Sequence, residues 1–123
     1  DLREARRFPD VVVHKAQFVV DIHNPVGGGQ ANGIAEYVDA YDIPWRSLVP
    51  QKMENLILAG RCISGTHEAM ASYRVMAIAM AIGEAAGIGA ALAIDHDVTP
   101  ENLDVKYIQK ALMDKGAVLF DEK

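Results

Sequence analysis

The chain has 123 residues, of which half are hydrophobic, and it carries a net charge of −5 and a single cysteine. This length and apolar content predict one folded domain with a modest core and exclude a disordered chain. The acidic balance argues against a nucleic-acid partner, and one cysteine excludes an internal disulfide or a Cys-based metal centre built from this chain alone. The scarcity of cysteine fits a cytoplasmic protein.

The N-terminal part, residues 1–50, is predicted to form a small β-rich segment. The chain begins at Asp1 without a signal peptide, so we expect it to be a piece of a longer protein. Residues 1–8 have a helical composition that ends before Pro9. The β-branched residues between 11 and 22 predict a strand that bends or bulges at residues 15–17.

A first candidate site lies at the end of this strand. Asp21 and His23 are two residues apart and therefore share one face of a strand, where a carboxylate can orient an imidazole for proton transfer. A solvated pair at the strand end is the more common arrangement, and both interpretations stay open. The glycine-rich stretch 24–33 lacks the spacing of a phosphate-binding loop and predicts a connection.

Two short extended segments are predicted at residues 34–38 and 41–48, and Pro44 restricts the second to the edge of a sheet. Arg46 follows this proline. Its guanidinium can bind a carboxylate with two hydrogen bonds, or it can be an ordinary surface cation.

Residues 51–123 contain the unit that organises the chain. Residues 56–59 are uniformly apolar and predict a strand buried on both faces, followed by a turn at Gly60 and a polar connection over residues 64–68. A long apolar helix is predicted from Val75, with a row of mostly small residues at every fourth position that includes Gly83 and Gly87. Ligands commonly bind where a strand ends and a helix begins, so we expect a ligand at the helix start. Close packing against a neighbouring element explains the glycines in the middle of the helix.

Several sharper interpretations fail on spacing. His67 and Glu68 resemble the start of a zinc-binding helix, but Ala71 occupies the position of the second histidine. Cys62 has no partner cysteine and predicts a half-buried free thiol. Glu84 is predicted to face solvent or pair with a cation, and it makes a membrane-spanning role for the helix unfavourable. A last helix is predicted from Thr99 to about residue 115.

Taken together, several segments resemble the C-terminal portion of the FAD-dependent oxidoreductase family, over residues 8 to 116. Members share a glutathione-reductase-like FAD fold, and relatives include the A-type subunit of heterodisulfide reductase. The segments that carry the resemblance are FPD at 8–10, DIH at 21–23, YDIPWRSLVP at 41–50, ENLILAGRCIS at 54–64, HEA at 67–69 and SYRVM at 72–76.

The resemblance implies a mixed α/β fragment, with substrate-side strands followed by a strand–turn–helix unit that faces FAD. It implies cofactor contacts at the turn and at the start of the helix: Gly60, Arg61, Ser64, Arg74, Val75 and Met76. His23, Arg46 and His67 would lie near the substrate, and no metal ligand is implied. The helix start would stabilise negative charge on the reduced flavin.

The sequence has no G-x-G-x-x-G motif, so the nucleotide-binding half of such a protein must lie elsewhere. We therefore expect the isolated chain to bind FAD weakly or not at all and to be inactive, with that half as its partner and a homodimer as a second possibility. The alternative is a non-catalytic interaction module that docks a partner through its small-residue helix face.

Overall fold

The computed structural model describes residues 4–18 and 39–120. Two short antiparallel strands are followed by helices, which confirms the predicted α/β fragment of mixed composition. The strands and α-helices are, in chain order, β1 Val11–Ala16, β2 Tyr41–Pro44, α1 His67–Tyr73, α2 Met76–Asp95 and α3 Val105–Asp114. Short 3-10 turns lie at Trp45–Ser47, Gly60–Cys62 and Pro100–Asn102.

The β1–β2 pair is irregular because β1 contains a bulge. Val13 lies opposite Ile43 and Ala16 opposite Tyr41, with a register shift between these pairs. Lys15 has a φ of 55°, which lets the chain accommodate the extra residue and confirms the predicted bend. The second strand ends at Pro44, earlier than predicted. Residues 19–22 and 34–38, also predicted as strands, lie outside the described ranges.

Two other predicted elements are wrong. Residues 4 and 5 form a turn rather than part of a helix, and Ala5 has a φ of 50°. Residues 56–59 do not form a strand: Leu56 is 38% exposed and the three residues after it are half-buried. A buried parallel strand needs neighbours on both sides. Among residues 4–18 and 39–120 this segment pairs with no strand: Leu58 N donates a hydrogen bond of 2.7 Å to Leu48 O, and Ala59 O accepts one of 3.0 Å from Cys62 Sγ.

A short helix, α1, replaces part of the polar connection predicted at residues 64–68. It forms because Thr66 is its N-cap, accepting a hydrogen bond from Ala69 N to Oγ1 of 3.1 Å. The long helix α2 begins at Met76 after Val75, which confirms its predicted start.

The last helix begins later than Thr99. Thr99 and Pro100 start a single 3-10 turn instead, and α3 begins at Val105, where Asp104 accepts a hydrogen bond from Lys106 N of 3.0 Å. Its end agrees with the prediction, since Gly116 follows with a φ of 97°.

The core lies between the strand pair and the two longer helices. α2 packs on β1 and on α3, and the most buried side chains include Leu48, Ile82 and Ile108. Gln109 of α3 donates hydrogen bonds to the carbonyl oxygens of Pro9 and Val11 at 2.9 and 3.0 Å. These contacts fix the entry to β1 against α3.

Candidate functional site

The turn Gly60–Cys62 leaves its backbone accessible. Gly60 has a φ of 71°, in the left-handed region, and a Cβ built there would meet nothing within 4 Å. The next residue, Arg61, is exposed, and among the residues described it forms no ion pair. This turn packs against α2. The segment therefore presents an open backbone and a cation beside the long helix.

The N-terminus of α2 has no side-chain cap. Thr66 caps α1 and Asp104 caps α3, but the N-cap of α2 is Val75, whose side chain accepts no hydrogen bond. The first backbone N–H groups of a helix lack partners within the helix, and its dipole places partial positive charge there. Met76, the first helical residue, is 79% exposed. This end of a 20-residue helix can therefore receive an electron-rich ligand.

Buried hydroxyl groups hold the connection between α1 and α2. Ser72 donates to Phe18 O at 2.6 Å, so Tyr41, at 2.8 Å, is the donor to the Ser72 hydroxyl. Tyr73 donates to Ile63 O at 3.1 Å. Burial raises the pKa of Tyr41 and Tyr73, and the nearby thiol of Cys62 adds to the rise in the pKa of Tyr73.

A separate cleft of about 700 Å³ lies beside the chain from residue 45 to 54. Its walls carry two cations, two carboxylates, hydroxyl groups and apolar side chains, so its charge is balanced. The lining residues are Trp45, Arg46, Ser47, Val49, Pro50, Gln51, Lys52, Met53, Glu54, Ser64 and Glu101.

Arg46 and Ser64 both line this cleft, and Arg46 also makes local contacts. Its Nη1 donates to Asp10 Oδ1 at 2.6 Å, and its guanidinium lies 4.8 Å from the centre of the Phe8 ring. The side chain is 61% exposed. The carboxylate that Arg46 binds in this structure is therefore that of Asp10.

A match to a known family gives these features a context. Residues 1–112 match the family model described as FAD dependent oxidoreductase. The chain belongs to this family. No curated protein and no solved structure shows a significant match. Membership supports an oxidoreductase as the parent protein and FAD as its cofactor.

The structure brings some of the predicted cofactor-binding residues together and separates others. Gly60 and Arg61 lie on a turn packed against α2, and Val75 and Met76 form the start of that helix. Arg74 lies between the two, as the C-cap of α1. Ser64 lies on the cleft instead. The predicted cofactor contacts are thus divided between two places.

The remaining candidates stay predictions or need correction. His23 lies outside the described ranges, and His67 is the first residue of α1, but its side chain is outside the description. Cys62 is exposed rather than half-buried, and its Sγ lies 3.0 Å from Ala59 O. Glu84 is exposed, as predicted. In the two described ranges, no group of three or more His, Cys, Asp or Glu residues is placed to hold a metal ion.

The sequence interpretation missed a buried ionic cluster around Asp42. The Oδ1 atom of Asp42 accepts hydrogen bonds from Arg7 Nη1 at 2.8 Å and from Lys15 N at 3.4 Å, and lies 2.8 Å from His14 Nδ1. The side chains of Asp42 and His14 are 2% and 3% exposed. The available signal in the sequence was that His14 and Asp42 each interrupt an apolar stretch. Only the pairing of β1 with β2 shows that these two side chains meet.

Proposed function

We propose that this chain supplies the flavin-facing turn and helix start of an FAD-dependent oxidoreductase with a glutathione-reductase-like FAD fold, related to the A-type subunit of heterodisulfide reductase. The observation that carries the proposal is the uncapped N-terminus of α2, together with the open Gly60–Cys62 turn that packs on the same helix.

These residues fit the chemistry of FAD. The backbone at Gly60 can be approached closely, because no side chain fills the space there. Arg61 supplies a cation for a phosphate oxygen. The N–H groups that follow Val75 supply positive potential for the electron-rich edge of the isoalloxazine ring. When bound, FAD accepts and returns an electron pair.

The role of the chain is then to bind and orient. Positive potential at the start of α2 stabilises the negative charge that a reduced flavin acquires, and it favours reduction of the bound cofactor. The buried hydroxyl groups of Tyr41, Ser72 and Tyr73 hold the connection between α1 and α2, including Arg74, in place. We assign them a positioning role.

The substrate would approach from the cleft side. Arg46 and Ser64 line that cleft, and we propose Arg46 as a substrate-side residue with His23 and His67 as further candidates. The cleft carries both signs of charge, so it does not by itself select an anionic substrate.

The nucleotide-binding half would come from outside these 123 residues, because no G-x-G-x-x-G motif occurs in them. We therefore propose that the isolated chain is inactive. Titrating FAD with the isolated chain should leave the flavin fluorescence unchanged.

The decisive experiment uses the complete flavoprotein and measures flavin absorbance per polypeptide after gel filtration. Arg61→Ala and Gly60→Val should each lower FAD occupancy, the second because valine disfavours the left-handed φ and fills the open space. Val75→Thr should also lower it, since a threonine hydroxyl can accept hydrogen bonds from the same N–H groups that face the flavin.

The matched control is Lys110→Ala, an exposed cation on α3 that pairs with Asp114 at 3.0 Å. Its FAD occupancy should equal that of the wild type. If Arg61→Ala, Gly60→Val and Val75→Thr all retain full occupancy and an unchanged flavin reduction potential, the proposed cofactor contacts are wrong.

A further inference from the structure

Gly65 is a glycine for a steric reason and not for a conformational one. Its φ lies outside the left-handed region, in contrast to the φ of 71° at Gly60, so alanine could adopt the same backbone. A Cβ built on Gly65, however, would lie 2.8 Å from both Cε1 and Oη of Tyr73 and 3.1 Å from its Cζ. These distances are shorter than van der Waals contact. The Tyr73 ring therefore occupies the place of a side chain at residue 65.

The Tyr73 ring is held where it is. The residue is 4% exposed, and its hydroxyl donates a hydrogen bond to Ile63 O at 3.1 Å. Moving the ring would break this bond in a place that water does not reach, which is costly for both polar groups. Ser64 and Gly65 are exposed, so the loop can move outward more easily. A methyl group at residue 65 would therefore displace the loop and not the ring.

This loop joins the two parts of the proposed flavin site. Residues 63–65 follow directly on the turn Gly60–Cys62 and lead into α1. Tyr73 is the last residue of α1 and stands two positions before Val75, the N-cap of α2. One contact between a ring and a backbone thus connects the turn with the start of the long helix.

A second contact holds the same loop from another side. Ser64 N donates a hydrogen bond to Ser47 O at 2.9 Å, which ties the loop to the segment that lines the cleft. Between these two attachments the loop has a defined place. The Tyr73 ring is the attachment that adjoins the start of α2.

We infer that the contact between Gly65 and the Tyr73 ring sets the spacing between the Gly60–Cys62 turn and the start of α2. Both residues are positioning residues, which act on the cofactor through the turn and the helix start. The inference rests on the proposed function, because the spacing matters only if these two segments bind the same FAD. It adds Gly65 to the residues on which that site depends.

A wider spacing has two measurable consequences. The turn and the helix start no longer fit the cofactor together, so FAD binds less tightly. The positive potential of a helix terminus acts only at short range, so a reduced, anionic flavin is stabilised less and the flavin reduction potential becomes more negative. A merely structural defect would lower FAD occupancy but leave unchanged the potential of the flavin that stays bound.

The test measures the FAD dissociation constant and the flavin reduction potential of the complete flavoprotein. Gly65→Ala should weaken FAD binding about tenfold, at the low end of the cost of overpacking a tight contact, and it should make the potential more negative. Gly83→Ala is the matched control. It adds the same methyl group at a glycine of α2 where a Cβ would meet nothing within 4 Å, and it should leave both quantities unchanged.

Tyr73→Phe tests the same contact and does not depend on the folding of Gly65→Ala. It keeps the ring but removes the hydrogen bond to Ile63 O, so it should shift the potential in the same direction by a smaller amount. When Gly65→Ala and Tyr73→Phe are combined, the released ring can yield to the methyl group. The loss of FAD affinity in the double variant should therefore be smaller than the product of the two separate fold-changes.

The remaining outcomes overturn the inference. Full FAD affinity and an unchanged potential in Gly65→Ala or in Tyr73→Phe, beside a loss of FAD in Arg61→Ala, would refute the spacing role and leave the proposed function standing. Weaker binding with an unchanged potential, or fold-changes that simply multiply in the double variant, would show that the contact only stabilises the fold. Full occupancy in Arg61→Ala, Gly60→Val and Val75→Thr would remove the proposed function and this inference with it.

Discussion

The indole ring of Trp45 lies directly against the backbone of Gly89, so that a Cβ on Gly89 would overlap the ring. The same ring donates a hydrogen bond from Nε1 to Pro100 O at 3.3 Å. One side chain thus joins the end of β2 to the middle of α2 and to the turn before α3. This contact aligns the cleft-lining segment with the long helix.

Replacing Gly89 by alanine should therefore destabilise the protein. The overlap with Trp45 forces either residue to move, at a cost of about 1–3 kcal/mol in the free energy of unfolding, partly offset by the higher helix propensity of alanine. Gly87→Ala, on the open side of the same helix, should instead stabilise by about 0.5–1 kcal/mol. Urea unfolding of both variants measures the difference, and equal gains in stability would contradict the close packing.

This pair also shows where sequence reasoning fails. The spacing of glycines in α2 drew attention to Gly83 and Gly87, which repeat every four residues, and the packing explanation given for them is wrong within the described residues. The spacing did not single out Gly89, although this is the glycine whose missing side chain makes room for the Trp45 ring. A glycine required by a residue such as Trp45, far away in sequence, leaves no local pattern.

The buried carboxylate of Asp42 provides a second test. Asp42→Asn removes the charge that compensates Arg7 while leaving the buried donors of His14 and Lys15 partly satisfied. Because the Arg7 side chain is 42% exposed and can return to water, we expect a loss of about 2–3 kcal/mol, below the full effect of breaking a buried pair. Thermal or urea unfolding would measure it.

The exposed pair of Lys110 and Asp114 is the matched control for this substitution, with side chains 75% and 65% exposed. Asp114→Asn should change the free energy of unfolding by less than about 0.5 kcal/mol. Comparable effects at the two sites would mean that the Asp42 cluster contributes no more than a surface ion pair.

Helix caps allow a third prediction, in which function and stability change in opposite directions. Val75→Thr keeps the shape of the side chain and adds an oxygen that can cap α2, so it should raise the unfolding free energy by about 0.5–1 kcal/mol. The reverse change, Thr66→Val, removes the hydrogen bond to Ala69 N and should lower it by about 1 kcal/mol. No gain from Val75→Thr would indicate that the first N–H groups of α2 are already satisfied.

Local signals predicted the start of α2, the end of α3 and the bulge at Lys15, because each depends on residues adjacent in sequence. The apolar run at residues 56–59 did not form a strand, since apolar composition cannot supply the neighbouring strands that a sheet requires. Thr99 resembled a helix start, but the cap with the correct hydrogen bond is Asp104. The candidate site shows the same division in its backbone: the turn at Gly60 and the start of α2 follow from local residues, whereas the pairing of Arg46 with Asp10 does not. The roles assigned to these residues stay predictions.

The buried tyrosines predict a loss of stability in alkali. Burial raises the pKa of Tyr41 and of Tyr73, so the native state holds these protons more tightly than the unfolded chain, in which a tyrosine pKa is about 10. Their contribution is fully present below that pH and is lost as the pH rises through the pKa of the native state. The unfolding free energy measured in urea should therefore fall above about pH 10 in the wild type. The fall should be shallower in the Tyr41→Phe variant, and it should be shallowest when Tyr41→Phe and Tyr73→Phe are combined. Measurements at pH 8 correct for the hydrogen bonds that each variant loses. Parallel pH profiles for all three proteins would show that neither hydroxyl is buried strongly enough to couple its ionisation to folding.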